Sequence, residues 1–353
     1  MNLVNLSLQN FRSYKKLKLT FSKQSVIIGP NTVGKTNILE AISLLSLGKS
    51  FRAEKEIDVI KFNEDLARVK GSIQKDNQTL DLEVVISSGQ FEGTSKFSKK
   101  YLVNGVGKRR VDFSANLLSV IFAPNDLEIV VGSPSLRRNF LDDILEQTDY
   151  EYRVALATFT KGLRQRNALL SLAREKGIRN EKQFEYWDKL LIENGEKITH
   201  KRGEFVAYLN TFKKDIFDFA VIYDKSIISK ERLLQYKDAE VGSGVTLVGP
   251  HRDDLSFSMF DEPTKSTKEI KSYGSRGQQR LVILQLKLLE LEYIGEKTGY
   301  SPILLLDDVF SELDEDHIGI VLEASKNQQT IITTTHKELI PKKFLSKMNI
   351  IEL

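Results

Sequence analysis

The sequence predicts an α/β protein whose two chain ends contribute to one sheet, with a largely helical segment inserted between them. Three observations carry that prediction. An apolar strand, QSVII (24–28), runs into GPNTVGKT (29–36) and then into a helix with apolar residues on one face. A second apolar strand, ILLLDD (303–308), ends on two acids far downstream. Between them, residues 136–220 are rich in Leu, Glu, Lys, Arg and Gln at helical spacing.

Taken in order, residues 2–8 and 17–21 read as short strands, followed by the strand at 24–28. Ile38, Leu39, Ile42 and Leu45 place a helix over 35–47. Strand signals recur at 66–73, 79–87 and 100–104, with hairpin turns at Asp76-Asn77 and Asn104-Gly105. The central helical stretch breaks at 175–182, so two long helices in a hairpin are expected. Its apolar repeat is too short and irregular for a long coiled coil. Strand texture returns over 219–260, and 262–271 reads as a polar loop. A helix over 275–294, a strand at 303–307, a helix near 314–325, a strand at 329–334 and the apolar tail NIIEL complete the chain. The organisation expected is a mixed β/α lobe I over 1–125, completed by 300–353, and a helical lobe II over 126–299.

Composition narrows the function classes. A chain of 353 residues with 41% hydrophobic content is long enough for about two domains and a large core. Lys+Arg outnumber Asp+Glu by 52 to 48, so the net charge of +4 permits an anionic partner without requiring one. The absence of cysteine excludes disulfides, a thiol nucleophile and Cys-ligated metals, and 4 scattered histidines give no support to a His-rich metal site. The N-terminus has no basic-then-apolar leader, and no apolar run approaches the ~20 residues that span a bilayer, so a cytoplasmic protein with no membrane association is expected.

The segment Gly29, Pro30, Asn31, Thr32, Val33, Gly34, Lys35, Thr36 fits G-x-x-x-x-G-K-[ST] in the required strand–loop–helix context, with Asn37 next on the helix. Glycine lets the backbone approach phosphates, and the helix N-terminus favours a multiply charged anion. Lys35 would reach the β/γ-phosphates of ATP and the Thr36 hydroxyl would ligate Mg2+. Asp307, at the end of ILLLD, would hold Mg2+ through water, and Asp308 would orient or deprotonate the attacking water.

Just before the 275–294 helix the chain reads YGSRGQQR (273–280). Ser275, Arg276, Gly277 and Gln278 resemble the Ser-x-Gly-Gln signature of the ATP-binding-cassette superfamily. A Ser hydroxyl and Gly amides at a helix start form a second anion cradle; a polar helix cap is the plainer alternative. In that superfamily the cradle closes on nucleotide held by another subunit, which implies an ATP-dependent head-to-tail homodimer. The resemblance also makes SELD (311–314) a D-loop, with Ser311 and Asp314 near the dimer contact, and makes His336 of IITTTH the switch histidine. The superfamily's usual catalytic Glu is Asp308 here, one methylene shorter, so slow hydrolysis used as a switch is expected.

LSLQNFRSYKKLKLTF and GPNTVGKTNILEAI resemble the DNA-repair branch with structural-maintenance and Rad-fifty-type heads, but without a long coiled-coil arm. FAPNDLEIVVGSPSLRRNFLD (122–142), LVGPHRDDL (247–255) and YGSRGQQR narrow the resemblance to the RecF family of bacterial recombination mediators. In GKSFR, Phe51 stands where that family leads one to expect His. The resemblance implies an ABC-type ATPase head that binds double- and single-stranded DNA at gaps and junctions. It would act with RecO and RecR in recombinase loading. Basic groups then become candidate phosphate contacts, namely Lys108, Arg109 and Arg110 together with Arg137 and Arg138; the last two would alternatively brace the lobe junction. For GPHRDD (249–254), an acid/base pair of His251 and Asp253 competes with a structural or ATP-sensing role.

Two other function classes compete. The ATP-binding subunit of a membrane transporter predicts a catalytic Glu and an aromatic adenine platform, whereas this chain has Asp308, and Tyr14 lies too early. A nuclease of the overcoming-lysogenisation type would need an appended acidic catalytic domain after His336.

Overall fold

The computed structural model describes residues 1–76, 78–89, 97–177, 179–212, 214–311, 315–340, 342–346 and 348–353. The chain divides into two compact units, one of residues 1–126 with 287–353 and one of 127–286.

The first unit opens with β1 (Asn2–Phe11), β2 (Tyr14–Thr20), β3 (Gln24–Ile28) and helix α1 (Lys35–Leu47). Then come β4 (Leu66–Lys75), β5 (Gln78–Ser87), β6 (Ser98–Val103), β7 (Val106–Lys108), the short turn α2 (Arg110–Phe113) and β8 (Ser119–Phe122). The second unit contains α3 (Glu128–Val131), α4 (Pro134–Thr148), α5 (Tyr150–Lys176), α6 (Glu181–Thr211), β9 (Ala220–Asp224), α7 (Lys230–Gln235), α8 (Lys237–Ser243), β10 (Asp254–Asp261), β11 (Ser266–Glu269) and α9 (Ile270–Tyr273). Helix α10 (Arg276–Thr298) carries the chain back into the first unit, followed by β12 (Ile303–Asp307), α11 (Glu315–Ala324), β13 (Thr330–Thr334), α12 (Lys342–Leu345) and β14 (Asn349–Glu352).

The first unit holds two sheets. One is antiparallel, in the order β2-β1-β4-β5-β6-β7; the other is parallel, in the order β14-β3-β13-β12-β8. Strand β3 therefore has β13 on one side and β14 on the other, so the two chain ends share a sheet as the sequence predicts. Helix α1 is buried on nearly every face because it touches strands of both sheets. Its Ile38, Leu39, Ile42 and Leu45 join Leu6, Leu8, Val69, Val84 and Ile331 in one core cluster. Gly48, in the left-handed conformation, ends the helix. The Gln329 side chain fastens the ends together: it accepts from the Leu3 N–H at 2.7 Å and donates to the carbonyls of Leu3 and Ser22 at 2.8 and 3.0 Å. The Asn104-Gly105 turn joins β6 to β7 with both residues at positive φ, as the hairpin prediction requires. The other predicted turn is described only at Asp76, because Asn77 lies outside the described residues.

The second unit departs from the sequence reading in three places. The expected pair of helices is three, because Asp149 breaks the chain after Thr148 and caps α5 by accepting from the Tyr152 N–H at 3.0 Å. The expected strand texture over 219–260 is interrupted by α7 and α8, the first capped by Ser229. The expected polar loop at 262–271 contains strand β11 and the turn α9.

Buried charge organises this unit. Arg202 on α6 is 2% exposed and donates to Asp253 at 2.9 Å, Asp142 at 2.8 Å, the Pro250 carbonyl at 2.7 Å and the Tyr152 hydroxyl at 3.0 Å. Asp253 also accepts from the Tyr223 hydroxyl and from the Ser226 N–H at 2.7 Å. The GPHRDD turn is thus a structural junction between helices and the paired strands β9 and β10. His251 and Asp253 bond to different partners, with His251 Nε2 on the Thr246 carbonyl at 3.0 Å, so the geometry gives no acid/base pair. Burial pulls the His251 pKa down to about 4. Replacing Arg202 by Ala would strand Asp142 and Asp253 without their counter-charge. We expect Arg202→Ala to cost about 3 to 5 kcal/mol, read as a lowered urea midpoint, while Lys189→Ala, at an exposed position of the same helix, leaves the midpoint in place.

Candidate nucleotide site

The parallel sheet positions the site. Strands β3 and β12 end at the same sheet edge with β13 between them, so the loop after β3 and the acids ending β12 face one region. Loop residues 29–34 turn from β3 into α1, with Thr32 at φ 70° and Gly34 at φ 109°. A Cβ on Gly34 would sit 2.7 Å from Ser13 Oγ and 2.8 Å from the Tyr14 hydroxyl, so both backbone conformation and space require glycine there. Pro30, Asn31 and Thr32 are exposed, and Val33 is partly so.

Lys35 is 7% exposed, and its Nζ donates to the carbonyls of Gly29 at 2.7 Å and Pro30 at 3.0 Å. The ammonium is therefore curled inside its own loop. The Thr36 hydroxyl donates to Asp307 Oδ1 at 3.0 Å, and the Thr333 hydroxyl donates to the same oxygen at 2.7 Å. Thr36 and Asp307 thus meet across 271 residues of sequence. Their donor set is oxygen only, which suits a hard ion such as Mg2+.

Asp308 follows at φ 51°, a conformation rare outside glycine, fixed by its N–H donating to the Thr333 carbonyl at 3.1 Å. Burial pushes its carboxyl above the usual carboxylate range; Lys35 opposes that shift, Asp307 reinforces it, and His336 opposes it. Lys35, Asp307 and His336 are therefore close enough to Asp308 to act on its charge. His336 lines a cleft of about 580 Å3 with Gly29, Pro30, Asn31 and Thr335.

A second cleft, of about 690 Å3, is lined by Arg12, Ser13, Asn37, Arg52, Lys61 and Phe62 among others. Glu40 on α1 is fully buried and binds the Arg12 guanidinium through two bonds of 2.9 and 2.6 Å, while the Ser50 hydroxyl donates to it at 2.6 Å. Arg52 donates to the Asn37 amide oxygen at 2.9 Å, and Asn37 donates to Ser13 Oγ at 3.0 Å. The sequence reading missed Arg12, Ser13, Glu40 and Arg52. A signal was present: an acid on a core-facing helix needs a cationic partner.

The signature segment lies in the second unit, at the start of α10. The Gln278 N–H donates to Ser275 Oγ at 3.2 Å, and the Ser275 N–H donates to the Gln278 amide oxygen at 2.8 Å. This reciprocal capping box satisfies two helix-end donors. Ser275, Arg276 and Gly277 are exposed. Gln279, not singled out from sequence, is buried and ties α10 to the carbonyls of Ile270 and Gly274. Ser311 ends a short 3-10 turn begun by Val309, and Asp314 lies outside the described residues.

The candidate DNA contacts divide. Lys108 and Arg109 are exposed, and Arg109 pairs with Asp112 at 2.7 Å. Arg110 is half-buried and donates to the Leu47 carbonyl at 3.1 Å. Arg137 is corrected: it is 4% exposed and binds both oxygens of Asp254 at 2.6 and 3.1 Å, which removes it from any phosphate surface. Arg138 donates to the Asp253 carbonyl at 2.8 Å, so both arginines brace the second unit internally.

Comparison with known proteins places this geometry. Residues 2–350 match the RecF/RecN/SMC N terminal domain family. The chain is 37% identical to the DNA replication and repair protein RecF of Halalkalibacterium halodurans, covering 100% of this chain and 98% of that one. It is 37% identical to the same protein of Bacillus thuringiensis, over 95% and 92% of the two chains. Among solved structures, the recombination mediator protein RecF bound to ATP superposes with a TM-score of 0.85 at 32% identity, over 96% of this chain and 93% of that one. The Smc head domain from Pyrococcus yayanosii shares the fold with a TM-score of 0.52 at 15% identity, over 99% and 94%. Identity sustained along the whole chain, together with a phosphate loop closed by Thr36 on Asp307, makes this protein a member of the RecF family.

Proposed function

We propose that this chain is an ATP-dependent DNA-binding protein of recombinational repair. It would pair head to tail with a second copy on gapped or junction DNA and promote recombinase loading with RecO and RecR. The observation that supports the reading best is the Thr36–Asp307 contact beside Lys35, Asp308 and His336, in a chain related to RecF over its full length.

In this reading the loop amides of 29–34 and the N-terminus of α1 receive the ATP phosphates. Lys35 leaves the Gly29 and Pro30 carbonyls for the β/γ-phosphates. Thr36, and Asp307 through water, would hold Mg2+, which would supply neutralisation of charge on the phosphate oxygens. Asp308 accepts a proton from, or orients, the attacking water, and His336 contacts the γ-phosphate. Ser275, Gly277 and Gln278 of one copy complete the site of the other, with Ser311 and Asp314 near that contact. Hydrolysis is weak and DNA-stimulated and serves as a switch. The protein acts in the cytoplasm; no helix among the described residues is long and apolar enough to cross a membrane, and nothing in the relatives favours a transporter subunit.

Sedimentation with ATP and gapped duplex tests the assembly. The wild type is expected to form an ATP-dependent dimer that Ser275→Arg loses while still binding ATP, because the exposed Ser275 would face the partner's nucleotide. Monomers under every condition would defeat the reading.

A further inference from the structure

The antiparallel sheet of the first unit buries one face. Leu8, Val69, Val84 and Tyr101, adjacent across β1, β4, β5 and β6, all pack on or in the core cluster beneath α1. The residues alternating with them must point away from that core. Register places Lys16, Gln9, Arg68, Val85 and Lys100 in one continuous row across β2, β1, β4, β5 and β6. The next row reads Lys18, Ser7, Lys70, Glu83 and Leu102. Five cations and one carboxylate thus share two rows, and the third row adds only Asp81 among Thr20, Asn5 and Ser72.

Lys16, Lys18 and Lys100 are exposed, and the side chains of Arg68 and Lys70 are 48% and 44% exposed. Neighbouring strands lie about 4.8 Å apart, so Lys16, Arg68 and Lys100, on alternate strands, stand roughly 10 Å from one another along a row of about 20 Å. Arg68 pairs with Glu83 at 3.2 Å and Lys70 with Asp81 at 3.0 Å. The cationic partner of each pair is more than two-fifths exposed, and pairs so open to solvent contribute little and exchange readily for another anion.

From this placement we infer that the solvent face of the β2-β1-β4-β5-β6 sheet is a sequence-independent docking surface for the DNA phosphate backbone. Charge complementarity selects the occupant. Duplex DNA presents one charge per about 1.7 Å of axis, so a row of this length meets several phosphates. An acidic protein would need apolar or aromatic anchors at the centre of its footprint, and these rows offer only Val85 and Leu102. Lys108 lies opposite Tyr101 in the register, on the other side of the sheet from Lys100, so this surface differs from the basic cluster at 108–110.

This inference rests on the DNA-binding reading above, and the experiment separates the two. Affinity for gapped duplex is measured with ATP at several salt concentrations. The proteins compared are the wild type, Lys16→Gln/Arg68→Gln/Lys100→Gln, and a control with the same charge change on the helical unit, Lys161→Gln/Lys182→Gln/Lys189→Gln. Binding of a fluorescent ATP analogue is followed in parallel. The face variant is expected to keep ATP binding, lose at least about tenfold in DNA affinity and flatten the salt slope by about 3, since each lost phosphate contact removes about 0.9. The control stays at wild-type affinity. Glu83→Gln frees Arg68 and is expected to tighten binding and steepen the slope. Equal loss in face and control variants, or an unchanged face variant, overturns the surface while leaving DNA binding intact. A wild type that does not retain DNA with ATP overturns both readings.

Discussion

Lys35→Met is expected to lower ATP affinity by about 10- to 100-fold, since a charged hydrogen bond contributes roughly 1.5–3 kcal/mol and each 1.4 kcal/mol is tenfold. The ammonium has two carbonyl partners inside the loop and is 7% exposed, so methionine fills the same space without its charge. Equilibrium titration with a fluorescent ATP analogue reads the affinity, and sedimentation then shows whether ATP-dependent pairing disappears with it. Pairing that persists at saturating ATP in the variant would separate Lys35 from assembly.

Asp308→Asn is expected to reduce hydrolysis by about 10²–10⁴-fold, the range a positioned general base supplies, while ATP binding stays near wild type. The trapped ATP state should then give a longer-lived dimer. As the proposed base Asp308 would act in its ionised form, and burial raises its pKa. Wild-type hydrolysis should therefore fall on acidification before the usual Asp value of about 3.9 is reached, and that limb should be missing in the Asn variant. Single-turnover rates across pH decide the point. Identical profiles in the two proteins would remove Asp308 from proton transfer.

The parts of the fold and site that could be read from sequence are those written in consecutive residues. The phosphate loop and α1 are one stretch, with glycine at the position whose φ and contacts demand it, so the motif and its helix emerge together. The Thr36–Asp307 contact was legible because an apolar strand ending in acid has a fixed place beside such a loop. What escaped was pairing decided by packing. Arg137 and Arg138 look like any surface basic pair until Asp254, 117 residues away, arrives beside Arg137 in the fold. Arg12 and Arg52 meet Glu40 from two different loops, and no local pattern links them. The break at 148–150 was missed for another reason. A single capping Asp splits two helices without Gly or Pro, and periodicity alone runs across such a joint.

The position of β3 in its sheet bears on synthesis. A chain emerging from the ribosome delivers β3 and the phosphate loop within its first 36 residues, yet both hydrogen-bonding neighbours of β3 come from residues 330–352. Until those residues have been made, Val26 and Ile27 form part of an apolar strand with two open edges, the condition that invites aggregation or holding by chaperones. The unit of 127–286 is one contiguous stretch and is made before those strands. Nucleotide binding should therefore be acquired only after residues 330–352 have been made. ATP can then select only chains in which β13 and β14 are in place beside β3.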